Sequence, residues 1–118
     1  MNKINNTISI NSSIKEALSK MTNLGEKCLL VVDKNQFIGT LSDGDIRKAL
    51  LKNISLNKKI KNIYNKNSYY IFKKNYNEEN LKKTFLNKKF DIIPILNDDK
   101  SIYKIIKWDE IFKIKRKK

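Results

Sequence analysis

The segment GTLSDGDIRKALL, residues 39–51, decides the fold because a predicted strand passes directly into a predicted helix within it. The apolar and β-branched run Phe37–Leu41 is typical of a strand. A helix is predicted to begin near Ser42 and to run over Asp43–Leu51, because its apolar residues recur at helical spacing. The residues of that apolar face are Ile46, Ala49 and Leu50. Ser42 and Asp45, three positions apart, have the pattern of a capping box, with Asp in place of the usual Glu or Gln.

The residues before this segment predict a helix and a second strand. The helix is expected over Ser13–Asn23, because serine favours a helix start and Gly25 follows its end. Its apolar stripe consists of Ile14, Ala17, Leu18 and Met21. The apolar run Cys28–Val32 predicts a strand, and the turn-forming residues 33–36 connect it to Phe37–Leu41. These two strands are expected to pair.

The same order of elements returns in the second half of the chain. The first predicted elements there are a strand near Tyr69–Phe72 and a helix that begins at 77–79 and has Leu81, Thr84 and Phe85 on one face. Two strands follow, Asp91–Leu96 and Ile102–Ile106, joined by a turn at 97–100. A last helix is predicted from Trp108 to about Ile114. Val31 aligns with Ile95, and Asp45 aligns with Glu110, at offsets of 64 and 65 residues. The sequence therefore predicts a tandem repeat of a β-α-β-β-α unit.

One repeat alone is too short to bury both faces of its small sheet, so the two copies are expected to pack as a pseudo-two-fold α/β pair with a cleft between them. We assign residues 1–53 to the first unit and residues 54–118 to a connector and the second unit. The connector is the Asn- and Lys-rich stretch Lys52–Lys66. Its apolar residues, which predict that it packs on the fold, are Ile54, Leu56, Ile60 and Ile63.

Composition narrows the classes of function. A chain of 118 residues has room for one compact domain. It has no histidine, which excludes His-based metal sites and Ser-His-Asp triads. Since no acid-base pair is evident either, we expect neither catalysis nor a metal site. The single cysteine, Cys28, lies in an apolar run and is expected in the core. No apolar stretch reaches the roughly 18 residues of a membrane span, so we expect a cytoplasmic location and no membrane partner.

The charge is strongly positive, with 26 basic residues against 12 acidic ones and a net charge of +14. Such a field attracts phosphates, nucleic acid or an anionic membrane, although runs of charge are usually solvated surface.

Residues 39–45 also have chemistry that suits a nucleotide. A helix N-terminus offers unpaired N–H groups and a partial positive charge, which favour a phosphate. A carboxylate at Asp45 can accept hydrogen bonds from the two hydroxyls of a ribose. The structural alternative is a plain helix cap and turn, and both interpretations stay open on these residues alone. A phosphate loop is excluded, because Asp45 and Ile46 stand where Lys and Ser or Thr are needed.

Together with the repeat, this segment resembles the CBS (cystathionine-β-synthase) domain pair, whose signature Gly-x-x-Ser/Thr-x-x-Asp is matched by Gly39, Ser42 and Asp45. Residues 39–51 look most like CBS pairs fused to sugar-nucleotide transferases, and somewhat like those fused to sugar-phosphate isomerases. The resemblance implies a regulatory module that binds an adenosine-containing ligand in the cleft and forms dimers.

The resemblance also implies roles for individual residues. Asp45 would hold the ribose hydroxyls, Ser42 would contact ribose or phosphate, and Lys27 would lie near the phosphates. The other unit would supply the opposite wall of the site through Asn65, Tyr70, Phe90 and Asp91. Tyr70 and Phe90 equally fit the role of ordinary core aromatics.

The second unit departs from the signature. Lys104 replaces the glycine, Lys107 replaces the serine or threonine, and Glu110 replaces the aspartate. We therefore expect a single ligand site. Trp108 is expected to anchor helix packing and not to stack on a base.

The leading hypothesis is a regulatory module, not an enzyme, that holds no resident cofactor and binds AMP, ADP, ATP or S-adenosylmethionine. It is expected to form a homodimer. It is expected to regulate a fused or associated enzyme, which would be a sugar-nucleotide transferase (a nucleotidyltransferase) or a sugar-phosphate isomerase. One alternative is an oligomerisation module without a ligand. The other is lysine-driven nucleic-acid binding through the connector and the C-terminal lysines, which is disfavoured because no strip of alternating aromatic and basic residues is evident.

Overall fold

Each half of the chain folds around its own three-stranded sheet in the computed structural model, which describes residues 5–88 and 90–110. The two compact units are Met1–Ser68 and Tyr69–Lys118. The predicted division placed residues 54–68 with the second unit, whereas their contacts join them to the first.

The first sheet has the order β1 (Thr7–Ser9), β2 (Cys28–Asp33) and β3 (Gln36–Ser42). Strand β1 runs parallel to β2, and β2 runs antiparallel to β3. Lys34 and Asn35 connect β2 and β3 with φ values of 49° and 67°, the left-handed conformation that a two-residue hairpin turn requires. The predicted strand pair and its tight turn are confirmed.

Two helices pack on this sheet, α1 (Ile14–Leu24) and α2 (Asp43–Leu51). Helix α1 begins with a capping box, in which the Glu16 N–H donates to Ser13 Oγ at 3.0 Å and the Ser13 N–H donates to Glu16 Oε1 at 2.8 Å. It ends at Gly25, whose φ of 68° favours glycine. The buried core of the first unit consists of Ile8, Ile14, Ala17, Met21, Leu29, Val31, Leu41, Ile46, Ala49 and Ile60.

Several residues of the first unit lie closer to solvent than the sequence predicts. Leu18, expected on the apolar stripe of α1, and Leu50, expected on the apolar face of α2, are both exposed. Cys28, expected in the core, is only half-buried because it is the first residue of β2, at the end of the sheet.

The connector folds onto the first unit, as predicted. It contains a 3-10 turn, Ile60–Asn62, and Ile60 is fully buried. Ile54 and Ile63 also pack against the core, while Leu56 remains exposed.

The second unit repeats this topology. Its elements are β4 (Ile71–Phe72), α3 (Glu78–Lys88), β5 (Ile92–Leu96) and β6 (Ile102–Lys107), with the sheet order β4-β5-β6. Its buried core consists of Leu81, Phe85, Ile93, Ile95 and Ile106. Residues 108–110 begin the predicted last helix, and its remainder, 111–114, lies outside the described residues. The ring of Trp108 packs edge-on against Phe85 at 6.2 Å.

The strand register shows the repeat directly. Val31 pairs with Gly39 in the first sheet, and Ile95 pairs with Lys104 in the second. In both sheets the pairing shifts immediately after these positions, between Val31 and Val32 and between Ile95 and Leu96. The predicted mixed α/β fold with two similar units is confirmed. No helix within residues 5–88 and 90–110 is both long and apolar enough to cross a membrane.

Candidate functional site

Strand β3 meets helix α2 at the signature segment, and the junction is a complete capping box. The Asp45 N–H donates to Ser42 Oγ at 3.1 Å, and the Ser42 N–H donates to Asp45 Oδ2 at 3.0 Å. Both residues are half-buried. The predicted cap is therefore present, and among residues 5–88 and 90–110 it occupies one of the two carboxylate oxygens of Asp45.

The start of β2 lies beside this junction. The Asp43 N–H donates to the backbone oxygen of Lys27 at 2.9 Å, which fixes Lys27 next to the first turn of α2. Arg47 pairs with Asp43 at 3.3 Å on the exposed side of the helix. Lys27, Ser42 and Asp45, three of the predicted site residues, are thus brought together.

The second unit keeps half of this arrangement. The Lys107 N–H donates to Glu110 Oε1 at 3.0 Å, and the Trp108 N–H donates to the backbone oxygen of Asp91 at 3.0 Å. Asp91 is therefore the repeat counterpart of Lys27. The longer side chain of Glu110 still reaches the helix start, so this departure from the signature preserves the cap.

Gly39 is needed for backbone packing. A Cβ atom there would overlap the backbone oxygen of Asn65 and would lie 2.7 Å from a ring carbon of Tyr64. Thr40 and Asn65 exchange two backbone hydrogen bonds of 3.1 Å and 2.8 Å, which join the end of the connector to β3. Asn65 was expected on the wall opposite Gly39, but it lies directly against Gly39 within the first unit.

In the second unit, the aromatic partner of Phe90 is Tyr69. These two rings stack with centroids 5.0 Å apart and planes at 15°. Tyr70 instead packs edge-on against Phe72 at 5.3 Å, with Lys100 Nζ 5.8 Å from its ring. The stacked neighbour of Phe90 is thus Tyr69, and Tyr70 contacts Phe72 and Lys100.

Asn6 is a site candidate that the sequence reasoning missed. Its side chain is 5% exposed, and its Nδ2 is buried without a hydrogen-bond partner among the described residues. Its backbone oxygen accepts from the Leu30 N–H at 2.7 Å. Since buried amide donors are normally paired, this N–H₂ group is suited to a ligand or an ordered water.

Asn6 and Ser42 lie at the same end of the first sheet. Asn6 precedes β1, which is parallel to β2, and Ser42 ends β3, where it pairs with Cys28 at the start of β2. A buried amide donor and the capped carboxylate of Asp45 therefore lie at one end of the sheet, next to its two outer strands. The sequence signal for Asn6 is weak, because β1 has only three residues and shows no periodicity.

The first half of the chain matches a known family model. The model described as CBS domain matches residues 1–52. Two uncharacterized proteins of Helicobacter pylori are similar over 56 residues, at 46% identity for strain J99 and 43% for strain 26695. Each match covers 46% of this chain and 17% of the relative, so the chain spans less than a fifth of the length of the curated relatives it matches.

Solved structures resemble nearly the whole chain. Protein MJ1225 from Methanocaldococcus jannaschii is 21% identical, with a TM-score of 0.83 over 97% of this chain and 47% of that chain. The CBS domain pair of protein MJ0100, in complex with 5′-methylthioadenosine and S-adenosyl-L-methionine, is 22% identical, with a TM-score of 0.78 over 96% and 89%. CBSX2 in complex with AMP is 22% identical, with a TM-score of 0.76 over 93% and 89%. At these identities the likeness shows the fold, which is the fold of CBS domain pairs.

Proposed function

We propose that this chain is a regulatory CBS pair that binds an adenosine-containing nucleotide and does not itself catalyse a reaction. The observation that carries the proposal is the end of the first sheet at which β2 begins. The Asn6 amide, which has no partner among the described residues, lies there beside β1, and the Asp45 carboxylate lies there after β3. An amide donor suits a ring nitrogen of a base, and a carboxylate oxygen suits ribose hydroxyls. A nucleoside offers both.

The first turn of α2 supports the phosphate end of such a ligand. The positive end of the helix dipole lies at Asp43 and Gly44, and Lys27 is held beside it through the Asp43 N–H. The hydroxyl of Ser42 accepts from the Asp45 N–H, and its own proton is available for a ribose or phosphate oxygen.

The ligands named for similar structures support the class of ligand. The MJ0100 pair is described with two adenosine derivatives, and CBSX2 is described with AMP. We propose AMP, ADP, ATP or S-adenosylmethionine as the ligand here. The contribution of Asn65, Tyr70, Phe90 and Asp91 to binding stays a prediction.

We further propose that the module regulates a sugar-nucleotide transferase, in the cytoplasm and as a homodimer. The similarity of residues 39–51 to CBS pairs of that kind supports the partner. The match covers only 17% of each Helicobacter pylori relative. This supports the proposal that the unit works as one part of a larger protein.

Calorimetric titration with the four ligands tests the proposal, on the wild type and on Asp45→Ala. The matched control is Glu16→Ala, which removes the corresponding carboxylate from the capping box of α1. We expect selective binding of one ligand per chain, lost in Asp45→Ala and retained in Glu16→Ala. Equal binding by both variants, or no binding by the wild type, would contradict the proposal.

Nucleic-acid binding is a second candidate, favoured by a feature that the sequence did not suggest. Among the described residues of the second unit, four lysines lie near aromatic rings. The pairs are Lys73–Tyr103 at 4.2 Å, Lys104–Tyr76 at 4.9 Å, Lys100–Tyr70 at 5.8 Å and Lys74–Phe72 at 5.9 Å. Proteins that bind single-stranded nucleic acid use basic groups to contact its phosphates and aromatic rings to stack on its bases. Binding that falls steeply with salt and shows no preference among nucleotides would favour this function.

A further inference from the structure

Residues of the connector line an open cavity of about 350 Å³ that shares no residue with the nucleotide site proposed above. Its lining residues are Ile54, Lys58, Lys59, Lys61, Asn62 and Ile63. This volume lies within the usual range for small-molecule sites, about 300–1,000 Å³.

The backbone around the cavity is held in place by α1. The Ile14 N–H donates to the Lys58 oxygen at 2.8 Å, and the Lys15 N–H donates to the Leu56 oxygen at 2.9 Å. The Ile60 N–H donates to the Ser12 oxygen at 2.9 Å. Residues 56–60 of the connector are therefore tied to residues 12–15 of the first unit, which preorganises the backbone beside the cavity.

The lining of the cavity carries three lysines. None of Lys58, Lys59 and Lys61 forms an ion pair with a carboxylate in the described part of the chain. Lys59 Nζ donates to the backbone oxygen of Asn11 at 3.1 Å. The sequence has no acidic residue between Asp45 and Glu78.

The lining of the cavity also has two apolar residues. Ile54 and Ile63 are half-buried and pack against the core of the first unit. A concave site lined by both lysines and apolar side chains suits a ligand with an anionic head and an apolar body.

We propose that this cavity binds a small organic phosphate, with the phosphate at the lysines and the apolar part against Ile54 and Ile63. The proposal does not depend on nucleotide binding at Asp45. The ammonium group of lysine is a compact point charge that attracts phosphate, and a doubly charged phosphate is bound more strongly by several such groups.

Titration of the full chain with phenyl phosphate, followed by backbone amide NMR, tests the proposal. We expect saturable shifts confined to residues 54–63, weaker binding of inorganic phosphate, and no binding of benzyl alcohol. The double variant Lys58→Gln/Lys61→Gln should weaken binding about three- to tenfold, because each exposed ammonium group contributes up to a few-fold in affinity. The matched control Lys82→Gln/Lys83→Gln on α3 removes the same charge and should change binding less than about twofold.

Three outcomes would overturn the proposal. Equal weakening by both double variants would mean that net charge alone attracts the anion. Equal affinity for inorganic and phenyl phosphate would remove the role of Ile54 and Ile63. Shifts at residues 54–63 with oligothymidylate but not with phenyl phosphate would assign the lysines to nucleic acid.

Discussion

Asp45 and Glu110 each accept a hydrogen bond from the backbone N–H three residues earlier, at the same distance of 3.0 Å. The two repeats have thus kept a helix cap while the rest of the signature has diverged. Asp45 therefore stabilises the start of α2 as well as making its proposed ligand contact. A substitution of Asp45 needs a control variant that loses a comparable helix cap elsewhere.

We predict that Ser42→Ala and Ser13→Ala lower the free energy of unfolding by similar amounts, about 0.5–2 kcal/mol each. Both hydroxyls accept from an N–H at the third helical position, at 3.1 Å and 3.0 Å. Urea unfolding measures the effect, and calorimetry separates it from function, since only Ser42→Ala should weaken nucleotide binding. Identical nucleotide affinity in the two variants would assign Ser42 a purely structural role.

We predict that Gly39→Ala lowers the free energy of unfolding by about 1–3 kcal/mol, the range for forced overpacking. The added methyl group would overlap the Asn65 carbonyl oxygen and push the end of the connector away from β3. Hydrogen exchange at the Thr40 and Asn65 amides should accelerate. Lys104→Ala, at the paired position of the second sheet, is the control and should change stability by less than about 0.5 kcal/mol. An equal effect of both changes would contradict this account.

We predict that Asn6→Leu separates stability from binding. The buried Nδ2 has no partner among the described residues, so replacing it with an apolar group should leave the free energy of unfolding unchanged or raise it by up to about 1 kcal/mol. Nucleotide affinity should fall at the same time. Asn97→Leu removes an amide that does have a partner, Ser101 Oγ at 2.9 Å, and should destabilise the fold. Loss of stability in Asn6→Leu without loss of affinity would argue against a ligand contact.

We predict a small acid-dependent contribution from the turn between β5 and β6. The Ser101 hydroxyl and N–H donate to Asp99 Oδ1, and these bonds lower the pKa of Asp99 below its usual value of 3.8. Because the folded-state pKa is the lower one, the contribution is present above the usual value and is lost as the pH falls through the lowered pKa. Ser101→Ala should raise the pKa of Asp99 in an NMR titration. An unchanged titration curve would show that these bonds do not form in solution.

Most of the fold follows from local patterns in the sequence. The apolar stripe of α1, the turn before β3 and the Ser42–Asp45 cap each lie within a few residues, so periodicity and turn chemistry predict them. The packing around Gly39 depends on Asn65, which lies far along the chain and carries no local signal for that contact. The partner of Phe90 depends on how Tyr69 and Tyr70 are oriented just before the two-residue strand β4, and so short a strand gives no alternation in the sequence from which to predict this.

The backbone pairing of the connector with β3 determines where the chain can be cut if the first unit is to be produced or duplicated as a separate piece. A gene fragment ending at residue 53 would encode both helices and all three strands of the first sheet, yet it would lack Ile60 in the core and the Asn65 backbone beside Gly39. The unit that packs as a whole is therefore longer than the sequence motif, and a fragment ending at Ser68 keeps both Ile60 and Asn65 in place.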